Sequence, residues 1–273
     1  MARFRAATPM APIPFDRHGV PGTIEIVEDF VGAAASGSFE DTTGTLEVFG
    51  TTAWWGAEIA GDADSDVDVV TGVPDHPGII RLNTGGTTPA GGDAASLQFG
   101  ASSVAVQEDI VLDDNGVYVA AVVRIPDVDA TVFEFGLGGQ TPAVPNSSAL
   151  DLVAICFDPE DADNVDDELF FCQVNGGGTD TEKIADKVPY VENDWVLLEI
   201  AADSTSATFR ITSEDNTQTI MLTAEDGVVM PTVALRPYFV VEAVGNAEES
   251  VDIDLFVMRY IRRDPLVAGW LGA

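Results

Sequence analysis

Imidazole is scarce in this chain: His18 and His76 are the only two histidines in 273 residues. His18 sits between Arg17 and Gly19, and His76 between Asp75 and Pro77. Nucleophilic catalysis of the Ser–His–acid kind needs a histidine set between a nucleophile and an acid, often with the serine on a G-x-S-x-G turn. No such turn occurs. Asp75 and His76 are sequence neighbours, which rarely gives that geometry, so His76 reads as a turn residue ahead of a strand. Paired carboxylates are the other route. Retaining glycoside hydrolysis needs two of them about 5–5.5 Å apart, which a strand supplies as alternate acids on one face. "EESVDIDLF" offers Asp252 and Asp254 at that spacing with no Glu to follow, and "VFEFG" offers Glu134 alone. These acids read as solvent-facing, and the chain is expected not to be an enzyme.

Oxygen ligands for a cation are concentrated in "GDADSDVDVV", where Asp62, Asp64, Asp66 and Asp68 alternate. Hard oxygens at that spacing suit Ca²⁺, but an EF-hand is excluded, because Val67 and Val73 stand where its Gly and Glu belong. In so acidic a chain the run reads first as a solvated loop. If a structural cation is held, Asp62, Asp64 and Asp66 are its ligands, and no other cofactor is expected. Aromatic side chains carry binding potential. Trp54 and Trp55 are adjacent, so on a strand one faces the core and the other the surface, as a stacking platform or interface anchor. Trp195 opens an alternating strand and reads as core. Cys156 and Cys172 flank the acidic loop "PEDADNVDD". In a hairpin they stand nearly equidistant from its centre. A disulfide needs Cα atoms about 5.5–6 Å apart, and the alternative is two buried thiols acting as small hydrophobes. Without clustered histidines they give no zinc signature.

Charge limits the partners. Asp plus Glu is 46 against 12 Lys plus Arg, for a net charge of −34. The basic set includes only two lysines, Lys183 and Lys187. Such a surface repels nucleic acid and anionic membrane, and no apolar stretch approaches the ~20 residues of a membrane helix. Self-repulsion opposes compaction until salt screens it, the Debye length being about 3 Å at 1 M. Asp-rich, Lys-poor surfaces of this kind resemble those of proteins from extreme halophiles.

The elements that must carry these residues are strands. About fifteen short β-branched or aromatic runs, bounded by Gly, Pro, Asn or Asp, recur along the chain. In "SATFRIT" Ala207, Phe209 and Ile211 share a face. In "SVDIDLFVM" Val251, Ile253, Leu255 and Val257 share one, opposite Asp252 and Asp254. "DDNG" at 113–116 is a tight hairpin signal. No convincing helical period exceeds two turns. The pattern predicts an all-β, two-sheet antiparallel jelly-roll sandwich. Residues 1–23 form an extended, proline-rich N-terminal arm, 24–262 the β-sandwich domain, and 263–273 a C-terminal tail carrying Trp270 and Leu271. The basic residues at the two ends, Arg3, Arg5, Arg17, Arg262 and Arg263, suit them to attach the sandwich to acidic neighbours.

"HPGIIRLNTGGTTPAGGDAASLQFG" (76–100) sets two strands around a Gly/Thr loop with little chemistry in it. This block resembles one in a concanavalin A-like (lectin/jelly-roll) β-sandwich of tailed-virus structural proteins. "VEDFVG", "TTAWWGAE", "NDWVLLEIAADSTSATFRI" and "SVDIDLFVMRYI" follow the same order, so the resemblance covers roughly residues 24–262. It implies a virion component, plausible for a haloarchaeal tailed virus: a capsid decoration, spike or tail-associated subunit. Its partners would be other virion proteins and further copies in a homo-oligomer. A carbohydrate-binding module recognising host surface glycan is the alternative, and a glycan-cleaving enzyme of the same fold the third reading. No catalytic or sugar-binding residue is carried over by the resemblance.

Overall fold

The computed structural model describes residues 23–30, 47–49, 55–60, 65–85, 93–99, 110–139, 151–159, 169–214, 216–244 and 248–261. Apart from Thr23, the arm 1–23 and the tail 263–273 lie outside them, as do Asp62, Asp64, Trp54 and Trp270. Among the described residues the only helical element is a three-residue 3-10 turn, Ala224–Asp226, and no helix is long and apolar enough to cross a membrane.

Among the described residues sixteen strands, numbered in chain order, form two eight-stranded sheets. Sheet A holds β1 (Thr23–Glu28), β4 (Asp66–Val73), β5 (His76–Asn83), β7 (Val117–Arg124), β12 (Trp195–Ala202), β13 (Ser206–Thr212), β14 (Thr217–Thr223) and β16 (Ser250–Ile261). Its order is β14-β13-β12-β7-β16-β5-β4, with β1 also paired to β16. Sheet B holds β2 (Glu47–Phe49), β3 (Trp55–Ala60), β6 (Ala94–Phe99), β8 (Thr131–Gly138), β9 (Leu152–Phe157), β10 (Leu169–Gly176), β11 (Thr179–Pro189) and β15 (Arg236–Ala243). Its order is β11-β10-β9-β8-β15-β6-β3-β2. Neighbouring strands run antiparallel throughout, including β7 with β12 and β8 with β15.

The core lies between the sheets and follows from period-2 alternation. Val117, Val119, Ala121 and Val123 of β7 face Phe133, Phe135 and Leu137 of β8 in one buried cluster. Trp55, fully buried, is the hub of its aromatic part, with ring centroids 4.8 Å from Phe256 and 5.3 Å from Phe99. Edge-to-face contacts of this kind are favoured by the ring quadrupoles.

Two sequence expectations, the β16 face and the 113–116 hairpin, are corrected here, and of the two cysteine readings the buried-thiol one holds. The face in β16 does not run unbroken through Val251, Ile253, Leu255 and Val257. Its register against β7 slips between Ile253 and Leu255, so Asp254 is an extra residue. A bulge inverts the alternation beyond it: Val251 and Ile253 point inward, then Phe256, Met258 and Tyr260 do, while Leu255 and Val257 turn outward. β16 also changes neighbour near this point, pairing β5 through Ser250–Ile253 and β1 through Phe256–Ile261. The cysteines lie on the β9–β10 hairpin, but Cys156 pairs with Phe171 and Cys172 with Ile155. That one-residue offset sends them to opposite faces, and both are buried free thiols. The 113–116 turn forms, with Gly116 at φ 71° donating to Asp113 C=O at 3.1 Å. It leads into β7, however, whose partners are β12 and β16, so it closes no hairpin.

Candidate functional site

Four neighbouring strands of sheet A bring chemistry-bearing residues into one lateral row on its outer face. Trp195 of β12 stands opposite Arg124 of β7, Arg124 opposite Asp252 of β16, and Asp252 opposite Arg81 of β5. The row continues to Asp68 of β4. Each is an outward position of a strand whose other face fills the core, so backbone register alone assembles the set.

Asp252 is completely buried and receives four N–H donors. Arg81 donates Nε to Oδ1 at 2.7 Å and Nη2 to Oδ2 at 3.1 Å; Arg124 donates Nε to Oδ2 at 3.1 Å and also Nη2. The hydrogen bond to Asp252 raises the pKa of Arg81. Arg124 lies over the indole of Trp195, 4.9 Å from its centroid. His76 stacks on the same indole at 4.1 Å with planes 17° apart.

His76 reaches this position because the β4–β5 hairpin turns on Pro74 and Asp75, the latter at φ 76°. Its Nδ1 is 2.8 Å from Oδ2 of Asp254, the bulge residue. Bulges re-aim side chains, and this one gives His76 a carboxylate partner. Burial raises the Asp254 pKa, and the hydrogen bond from His76 opposes that shift.

The sequence reading of these residues therefore changes. Asp252 and Asp254 are not solvent-facing: one is enclosed by two guanidiniums and the other half-buried against an imidazole. Trp195 is not core but half-buried on the outer face. His76 does follow a turn, but it opens the strand and joins the cluster. Arg81 and Arg124 were missed. Their signal was a cation inside an apolar strand, in "GIIRLN" and "AAVVRI", where a guanidinium needs a carboxylate partner.

Chemically the cluster is a braced set of planar donors. Three of the four donors converge on Asp252 Oδ2 and one on Oδ1, so the carboxylate is held between the two guanidiniums as their shared acceptor. Among the described residues the hydrogen-bond partner of His76 is the Asp254 carboxylate. The guanidiniums keep unused capacity: each has five N–H donors and commits two to Asp252. As for a cation, Asp66 stands opposite Asn83 at the start of β4, and the described residues contain no group of three or more His, Cys, Asp or Glu that could hold a metal.

Glu134, the third acid, lies on the outer face of sheet B. It too is fully buried rather than solvent-facing, and it accepts from the Tyr238 hydroxyl. Around it Ser96, Gln98, Gln173 and Asn175 are each at most 7% exposed. Gln173 donates Nε2 to both carboxylate oxygens of Asp180 at 3.1 Å, and Cys156 Sγ approaches its Oε1 at 3.7 Å. Among the described residues these polar groups are buried, and the sheet A cluster is the more exposed candidate.

No family model matches the chain, and no curated protein matches it in sequence. Its fold has clear counterparts among solved structures. The seed lectin of Lotus tetragonolobus superposes with a TM-score of 0.53 at 14% identity, over 88% of this chain and 100% of that one. The winged bean acidic lectin complexed with methyl-α-D-galactose gives 0.52 at 10% identity, over 88% and 100%. Lectin I of Ulex europaeus with the methyl glycoside of α-L-fucose gives 0.52 at 9% identity, over 87% and 98%. The chain thus has the expected concanavalin A-like antiparallel sandwich.

Proposed function

We propose that this chain is a non-catalytic, lectin-like module that binds glycans through the Trp195–His76–Arg124–Arg81 cluster. One observation carries the reading: an indole braced by an imidazole and a guanidinium on the accessible face of sheet A, beside two arginines with N–H donors to spare. Sugars present hydroxyl arrays that suit fixed planar donors such as the two guanidiniums. Groups already held by neighbours lose little rotamer entropy when a ligand binds. The fold supports the reading, since winged bean lectin and Ulex lectin I were solved with galactose and fucose glycosides.

The test is a glycan array probed with the full chain at molar KCl, followed by titration of any hit against Trp195→Ala and His76→Ala. Binding that weakens about tenfold or more in both variants supports the proposal, a truncated anchor costing about 1.4 kcal/mol or more. Absence of binding across neutral and acidic glycans overturns it. Release of reducing ends from a bound glycan would overturn its non-catalytic part.

A second reading, a virion subunit acting by assembly, draws on the block 76–100 and on the nearly charge-balanced face described next. Finding this chain in purified particles would establish it.

A further inference from the structure

The outer face of sheet A continues beyond the Trp195 row, and register defines three further rows. The first runs Met221, Thr208, Ala201, Tyr118, Arg259, Glu25 from β14 across to β1. The second runs Thr219, Arg210, Glu199, Ala120, Val257, Val27. The third runs Thr217, Thr212, Leu197, Val122, Leu255. Their charged side chains are two arginines and two glutamates, and they are paired. Arg259 Nη2 is 3.1 Å from Glu25, and Arg210 Nη1 is 3.3 Å from Glu199, which also accepts from Tyr118 at 2.8 Å. The paired residues of the three rows therefore sum to zero charge, and exposed Asp29, just past β1 at the end of the third row, adds a single negative charge, in a chain of −34.

Beside the ion pairs, toward the Trp195 row, lies an apolar band. Val122, Leu197, Leu255 and Val257 are half-buried in it, and Val27 and Met221, at 56% and 51% exposure, stand at the two edges of the face. The bulge at Asp254 creates this band, because it turns Leu255 and Val257 outward.

We propose that this face is where a second copy of the chain docks, sheet against sheet about a two-fold axis. Two copies at −34 each repel wherever their acidic surfaces meet, so contact needs a face with little net charge. Apolar side chains beside arginine and tyrosine, without lysine, match the composition of interface cores. A two-fold axis lets one self-complementary patch serve both copies. Strands about 4.8 Å apart and rows about 7 Å apart give a patch about 24 Å by 14 Å. That is smaller than the ~800 Å² per partner of a standard interface, so the dimer is weak and favoured by screening salt. His76 and Trp195 lie at its rim, and the inference is independent of the glycan reading.

Sedimentation velocity of the full chain at molar KCl, across protein concentration, tests it. The wild type is expected to shift from monomer to dimer. Val27→Asp lies on a side chain more than half exposed and so leaves the core intact; it should weaken dimerisation at least tenfold. Leu197→Gln should do the same, with thermal melting reporting whether it folds. Val191→Asp, exposed at 58% outside these rows, should leave dimerisation unchanged. A wild type that stays monomeric, or a dimer disrupted by Val191→Asp and indifferent to Val27→Asp, overturns the proposal. Glycan titration of the Val27→Asp monomer keeps the two readings apart, since binding there survives the loss of the dimer.

Discussion

Asp252 and Glu134 are both completely buried acids on outward positions of central strands, one in each sheet, yet they meet different company. Asp252 lies between two arginines that reach solvent, their side chains 36% and 22% exposed. Glu134 meets a phenol within a buried layer of Ser96, Gln98, Gln173 and Asn175. Charge neutralised by charge can stay near water and present spare donors. A carboxylate removed from water is costly unless protein partners replace the hydration it loses. The contrast is the basis for proposing recognition on sheet A and a structural role for sheet B.

Salt is expected to move the molecule most. Screening relieves repulsion over the whole acidic surface, while on sheet A's outer face it only weakens exposed pairs such as Arg259–Glu25. Melting temperature should rise by on the order of 10 °C from low salt to molar KCl. A flat or falling series would show that the pairs outweigh the repulsion.

Asp252→Asn comes next. It leaves two guanidiniums facing a neutral amide, and a fully buried pair broken this way costs about 3–5 kcal/mol. Because both arginines reach water, about 2–3 kcal/mol is expected, discounted for that exposure. Denaturant unfolding reads it, and a loss under 1 kcal/mol, on the scale of an ordinary surface pair, would make Asp252 no more than that.

Tyr238→Phe tests sheet B with little change of volume. Removing the hydroxyl takes a donor from a buried carboxylate, for about 1–2 kcal/mol. Glycan affinity should not change. An affinity change without a stability change would reverse the roles given to the two faces.

The smallest effect lies where the sheets are tied together. Glu249, just before β16, is buried beside Thr131 of β8. The Thr131 hydroxyl is 2.5 Å from Asp127 C=O and 2.7 Å from Glu249 Oε2. One hydroxyl carries one hydrogen. If it goes to the carbonyl, the second contact needs a proton on Glu249. Burial raises the Glu249 pKa first; Asp127, Asp129 and Glu248 add to it, and the Thr131 hydrogen bond opposes it. With the folded value above the unfolded one, the contribution is complete below the usual glutamate range and is lost as pH climbs through the folded value. Glu249→Gln keeps a neutral donor at every pH. It should melt at or above the wild type at pH 8 and flatten the fall between pH 5 and 8, by less than about 1 kcal/mol. A steeper fall in the variant would contradict this proton placement.

Alternation made the sandwich legible in the sequence, because inward Ala, Phe and Ile alternate with polar residues in "SATFRIT", and β-branched runs such as "GVYVAAVVRI" mark strands even where the outward positions are partly apolar. β11 escaped notice: "TDTEKIADKVP" has no apolar period, and its strand follows from pairing with β10. The site was hidden for a related reason. Asp252 and Arg81 are 171 residues apart in sequence, and Asp254 and His76 are 178 apart. Only register brings them together, and a one-residue bulge decides where Asp254 points. A strand pattern specifies which residues face out, but not which neighbours they face.

The central claim, that sheet A's outer face does the binding and sheet B's is structural, is tested most directly by amide hydrogen exchange with and without a saturating glycan identified on the array. The account predicts added protection in 76–83, 122–124 and 195–199, with 94–98, 134–138 and 170–175 unchanged. Protection confined to those sheet B segments would contradict it.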